Sequence, residues 1–357
     1  MRWASALGCL LLMAGCRQSG TWVDNQIDPS VRSTLRSLNT NVISYITAKD
    51  TAQLKDMFSD SLLAHVGPTF VSQVEKNQVL FDLSKYRSKN EFYIVYTGAK
   101  SSSHNVHRGK GNEHDYLLNF QPMTEETLVS LGFFQGTPES FALTTSYGKY
   151  GGNWKLNIME IGLLKVMNGD AVDWYHRAKR DFDSGYLADA ANDLVIMEQL
   201  MKPAGELLHY EKENEMNELD QRLTAAIAQR YPFPMTDSLV KTKPSIFRIA
   251  LYRAPEAYYP FVLYRTTLPL TDTVALSREC DAINARLGQM FKGLPEGKRF
   301  IYYRVYTKVP GDTTDAYKEF HRSGIPPFVH GDPPDAAASG GMAAAGSAPG
   351  GIAPPKP

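Results

Sequence analysis

The chain has 357 residues, 43% of them hydrophobic and 21% charged, with 38 Lys and Arg balanced by 38 Asp and Glu. That composition fits a globular protein with room for two or three cores and excludes a disordered or membrane-embedded chain. The even charge excludes the basic surplus of a nucleic-acid binder. Because Cys9 and Cys16 sit near the N-terminus, only Cys280 remains in the body, which excludes an internal disulfide framework.

In chain order, Arg2 is followed by an apolar run from Trp3 to Ala14 and then by polar Arg17-Gln18-Ser19. This layout predicts a signal peptide over 1–15, too short to span a bilayer. Ala14-Gly15-Cys16 resembles the lipobox of bacterial lipoproteins, in which the cysteine thiol is acylated before the chain is cut in front of it. That family usually has Leu three places before the cysteine; here Met13, similar in bulk, stands there. The resemblance implies lipidation of Cys16, with palmitate-type acyl chains as the membrane anchor. Arg17, not being Asp, implies the outer membrane over inner-membrane retention. The other reading is a plain signal peptide with an incidental Cys16. Residues 16–30 then read as the lipidated cysteine and a polar tether.

Just before the span 31–167, Asp28-Pro29 is a helix cap with proline in the first turn. Val31, Leu35, Leu38, Val42 and Ile46 recur at helical spacing. Asp50 and Gln53 predict a second helix with Leu54, Met57, Phe58 and Leu62. Gly67-Pro68 begins a third. Five strand-like runs follow, at 92–97, 115–120, 127–134, 140–147 and 154–161, and Gly151-Gly152 joins the last two as a hairpin. Helices followed by a long antiparallel sheet ending in GGNWKLNIMEI resemble the NTF2-like cone fold. That resemblance implies an α+β domain, often with a pocket between sheet and helices, and does not by itself fix a function.

Residues 168–231 read as helical. Ala178, Phe182, Gly185, Leu187, Ala190, Leu194, Met197 and Pro203 resemble a single tetratricopeptide unit, a helical hairpin turning at glycine. A long acidic helix is predicted over about 205–230. The whole span holds seven basic and thirteen acidic residues, the mark of a solvated face. Residues 244–322 read as a small α+β domain of ββαβ order. Its Asp272-capped helix carries Leu276, Cys280, Ile283, Leu287 and Met290 on one stripe, which makes Cys280 a buried, inert thiol. Residues 323–357 are Pro/Gly/Ala-rich low complexity, predicted to be disordered.

Two constellations carry candidate chemistry. His104, His107 and His114 lie beside Glu113 and Asp115, a metal-type donor set, but in a stretch of hairpin-loop composition that does not preorganise ligands. Gly109-Lys110-Gly111 is too short for a phosphate loop. Arg248, Tyr252, Arg253, Tyr264, Arg265, Tyr302, Tyr303, Arg304 and Tyr306 form an aromatic and basic set that could stack on flat ligands, or could simply be good strand formers. No nucleophile elbow, zinc-protease motif or dinucleotide fingerprint is present. The expectation is a lipid-anchored envelope lipoprotein that binds or scaffolds and is not an enzyme. It has no cofactor, no metal and no nucleic-acid partner. The alternative is a hydrolase or isomerase working in the cone pocket, with His114 or Asp115 as the acid or base.

Overall fold

The structure, a computed structural model, describes residues 19–96, 104–109, 111–311, 315–324 and 351–352. The leader with Cys9 and Cys16 lies outside these residues, as does most of the tail. The architecture is mixed α+β, and the chain divides into two compact units built from interleaved segments. One comprises Met1–His104, Phe120–Gly132 and Leu143–Glu160; the other comprises Asn105–Asn119, Phe133–Ala142 and Ile161–Pro357.

In chain order the first elements are β1 (Gly20–Val23), α1 (Pro29–Thr47), α2 (Thr51–Asp56), α3 (Asp60–His65), α4 (Phe70–Asn77) and β2 (Tyr86–Val95). Asp28 caps α1 by accepting from the Ser30 N–H at 2.8 Å, and Pro29 occupies the first turn, where no amide donor is needed. The stripe predicted for α1 is buried at Leu35, Val42 and Ile46. The single second helix expected from sequence is broken in two. Backbone bonds between Met57, Ser59 and Leu156 tie the chain to a strand at that point, and Ser59 recaps α3 through the Leu62 N–H.

The following strands are β3 (His104–Arg108), β4 (Tyr116–Phe120), β5 (Glu126–Phe134), β6 (Glu139–Tyr150) and β7 (Asn153–Val166). β2 and β4 to β7 fall on the five predicted runs, whereas β3 is a strand in a stretch read from sequence as hairpin loop; β1-β2-β5-β6-β7 form a five-stranded sheet in that order. Within the first unit the core is Leu35, Ile43, Leu54, Phe92, Leu128, Leu143, Tyr147 and Leu156. One expectation is corrected here. From Gly20 onward the predicted tether is paired chain: β1 runs antiparallel to β2 with Trp22 opposite Tyr93, and Ile27 is buried. The short apolar content of Trp22, Val23 and Ile27 is enough to dock it.

The second unit continues with α5 (Ala171–Asp183), α6 (Leu187–Leu200), β8 (Leu208–Tyr210), α7 (Glu213–Arg230) and β9 (Met235–Thr236). Gly185 links α5 to α6 with φ +76°, a backbone state that glycine adopts without steric cost. Ala178, Ala190 and Met197 are fully buried in this hairpin. The acidic helix starts later than expected, because Leu208–Tyr210 pairs with β4 before α7 begins. Next come β10 (Ser245–Arg253), β11 (Tyr258–Arg265), α8 (Thr273–Met290), β12 (Phe300–Tyr306) and β13 (Lys318–Ser323). β10 and β11 form a hairpin, and α8 carries the chain over so that β12 lies parallel to β11. β13, which was not predicted, pairs with β12 as a charged edge. Gly351–Ile352 pairs beside β10.

Candidate functional site

The loop before β4 and the first turn of α5 meet around His114. Asp170 is the N-cap of α5, and its Oδ1 accepts from the Val172 N–H at 3.0 Å and the Asp173 N–H at 3.3 Å. Asp173 Oδ2 in turn accepts from the Asp170 N–H at 2.9 Å, closing a capping box. The ring of His114 lies against both carboxylates. Its Nδ1 is 2.9 Å from Asp170 Oδ2, and its Nε2 is 4.0 Å from Asp173 Oδ1. Next to this set, Glu113 pairs with His176 at 2.9 Å.

Of the predicted histidine cluster, only His114 has a described side chain. His114 and Glu113 are brought to α5, whereas the side chains of His104 and His107, and Lys110, lie outside those described. Asp115 instead organises its own loop. Its Oδ2 accepts from the Asn112 N–H at 2.7 Å, and its carboxylate packs so closely on Gly109 (φ +128°) that a Cβ there would overlap it. Asp170, Asp173 and His176 were missed in the sequence. Their D-x-x-D-x-x-H spacing, which places all three on successive turns of one helix, was the available signal.

The aromatic and basic set divides by strand alternation. Tyr264 and Tyr303 turn toward α8 and are fully buried, and the Tyr303 hydroxyl donates to Asn284 Oδ1 at 2.7 Å. Tyr252, Tyr302, Arg304 and Tyr306 share the other face. There the rings of Tyr252 and Tyr302 stack at 3.8 Å and 7°, and His321 and Tyr259 pack against Tyr302 at 5.8 and 5.7 Å. Arg304 lies 4.2 Å over Tyr317 and bonds Glu319 through Nε at 2.7 Å. Phe261 sits beneath this layer, fully buried, in T-shaped contact with Tyr252. Arg253 stands apart, paired with Glu139 at 2.6 Å, and Tyr258 donates to the same carboxylate. Arg248 and Arg265 stand opposite Leu263 and Ser245 in the β10–β11 register. Cys280 is buried, and desolvation pushes its thiol up to about 12, far from a reactive thiolate.

Within the largely apolar interior of the first unit, two buried polar groups, Asn39 and Glu91, are met by hydrogen-bonding partners. Asn39 Oδ1 accepts from Thr145 Oγ1 at 2.7 Å and Tyr147 Oη at 2.9 Å. Glu91, 1% exposed, is bound by Arg32 and Arg36, and its N–H donates to Asp24 at 2.9 Å. Burial opposes its charge, yet the hydrogen bonds from Arg36 and Arg32 outweigh that and hold the carboxyl below its ordinary range. Among the described residues no helix is long and apolar enough to cross a membrane. No protein-family model matches the chain, and neither a curated protein nor a solved structure matches it.

Proposed function

We propose that the chain is a lipoprotein of the cell envelope, anchored in the outer membrane through acylated Cys16, that binds or scaffolds a partner and is not an enzyme. In this reading residues 31–167 form an NTF2-like domain, 168–231 a tetratricopeptide-like helical segment and 244–322 a small α+β domain. The observation that carries it is the aromatic face of the β10–β13 sheet. Stacked, half-buried Tyr252 and Tyr302, with Arg304 and His321 beside them, give a flat amphipathic platform of the kind that recognises partners by ring contact. The Asn39 and Glu91 networks, whose buried polar groups bond one another, also favour binding over catalysis at those residues.

Two measurements test this. Membrane fractionation with intact-mass analysis should find the native chain beginning at Cys16 and carrying acyl chains. Cys16→Ser should then release the chain or leave it unprocessed, and an unmodified N-terminus downstream of Cys16 refutes the anchor. Photo-crosslinking in cells from a probe at Tyr302 should give an adduct that Tyr252→Ser weakens; equal adducts with and without that substitution refute the platform.

A further inference from the structure

The sheet of the second unit that ends in β13 has two unlike edges. β13 closes one of them with Lys318, Glu319, His321 and Arg322, charges that discourage a further strand. Toward the other edge, β10 reads IFRIALY over 246–252, almost wholly apolar. Its outer side is paired only in pieces. β9 takes Ser245 and Ile246, and Gly351–Ile352, here β14, runs antiparallel to Ile249 and Ala250. Leu251, Tyr252 and Arg253 have no strand on that side among the described residues. A long apolar edge is a template for another extended chain, because its outward N–H and C=O groups are spare.

The strand already in that place is a weak occupant. Gly351 has no side chain to pack, and glycine loses more freedom than any other residue on being ordered. Pro349 and Pro354, two positions outside the pair, have no N–H to add to a ladder, so the pairing does not lengthen in either direction. α6, which packs against both β10 and β14, supplies a second observation. Asn192 on this helix is 4% exposed, and neither its Nδ2 nor its Oδ1 has a hydrogen-bond partner. The acids beside it are committed, Asp189 to Lys298 at 2.9 Å and Asp193 to Arg177 at 3.4 Å. A buried amide with donor and acceptor both idle is rare in a folded chain. It is the complement of a peptide group, which also offers a donor and an acceptor.

We propose that the outer edge of β10, beside α6, is a site for an extended, proline-free peptide segment of a partner protein, and that Gly351–Ile352 holds it in the unliganded chain. The partner's backbone continues the sheet antiparallel to β10 along residues 247–253, and one of its peptide groups bonds the Asn192 amide. Main-chain bonds supply the affinity, and alternate side chains, one set on each face of the sheet, supply the selection. The resident strand belongs to the same chain and so competes at a high effective concentration. A partner must therefore offer more than two paired residues to displace it. The site needs neither the Cys16 anchor nor the ring contacts of the aromatic face.

The test uses the full chain and a fluorescent peptide, AVGGIAV, which copies residues 348–354 with valine in place of both prolines. Anisotropy titration should show one peptide bound per chain. Ile352→Pro removes an N–H from β14 and should tighten peptide binding at least about tenfold by freeing the edge. Pro349→Val with Pro354→Val lets the resident strand lengthen and should weaken peptide binding by a similar factor. Asn192→Leu separates a ligand-binding amide from a structural one. Leucine leaves no buried polar atom unsatisfied, so this variant should unfold at the same temperature or higher, while peptide binding falls about threefold, the loss of one hydrogen bond. Methylating alternate backbone nitrogens of the peptide, in both phases, should abolish binding in at least one phase. No saturable binding to Ile352→Pro, equal affinity in the unaltered, Ile352→Pro and valine chains, binding that survives both methylated peptides, or unchanged affinity in Asn192→Leu each overturns the site. Self-association of Ile352→Pro in place of peptide binding also overturns it, by giving the edge to a second copy.

Discussion

Replacing Asn39 by leucine isolates the polar centre of the first unit. Asn39 is 3% exposed, and its Oδ1 is the acceptor for two buried hydroxyls, on Thr145 (1% exposed) and Tyr147 (fully buried). Leucine has similar volume but no acceptor, so both hydroxyls lose their partner in a place water does not reach. Each buried group left unsatisfied costs ~1–3 kcal/mol. Extra apolar burial returns about 1.5–3 kcal/mol of that. The net loss expected for Asn39→Leu is therefore about 1–3 kcal/mol, toward the upper end because the new methyls meet hydroxyls. Urea unfolding followed by the fluorescence of Trp22 and Trp154, both in the first unit, measures it. A compensating set gives the sharper result. Adding Thr145→Val and Tyr147→Phe to Asn39→Leu removes the orphaned hydroxyls and should recover at least half of the lost stability. If the triple variant is no more stable than the single one, the cost came from shape and the hydrogen-bond argument fails.

Three further outcomes follow from other parts of the fold. Ala190, fully buried on α6, has no room for a ring, so Ala190→Phe should cost ~1–3 kcal/mol by overpacking; unchanged thermal unfolding refutes the close approach of α5 and α6. Glu91 is held below its ordinary value of 4.5 by Arg36 and Arg32, so its contribution is complete above that value and is lost as pH falls through the lower folded value. The acid limb of the stability–pH curve should flatten in Glu91→Gln, and a parallel limb would contradict the pairing. Cys280 should resist a thiol reagent in the native chain at neutral pH and react promptly in denaturant, whereas fast native labelling would show that the stripe of α8 is open.

Much of the fold could be read from local pattern. The α1 stripe, the aromatic and β-branched runs of β5 to β7, the glycine turn at Gly185 and the Asp272 cap of α8 are all written in adjacent residues. What escaped was set by distant partners or hidden by charge. β8 is three residues inside an acidic stretch and exists because β4 pairs with it. β13 alternates Lys318, Glu319, His321 and Arg322, which reads as loop until β12 is seen beside it. The break after α2 comes from Leu156, about a hundred residues away. The candidate site follows the same rule. His114 was visible as a donor, whereas Asp170, the cap of α5, was not singled out. Only folding shows that they meet, since no spacing rule connects residues so far apart. Strand alternation alone would have separated Tyr303 from Tyr302.

β1 fixes a distance as well as a register. Four chain steps separate Cys16 from Gly20, where pairing with β2 begins. With acyl chains on Cys16, an extended backbone of ~3.3–3.6 Å per residue keeps that strand within about 14 Å of the lipid attachment. This is roughly half the ~30 Å thickness of a bilayer's hydrocarbon core. A protein moored so closely has no leash on which to search the space away from its leaflet. Anchored as proposed through Cys16, it would travel in two dimensions at the pace of the lipids that hold it and would meet those partners that come to the membrane surface.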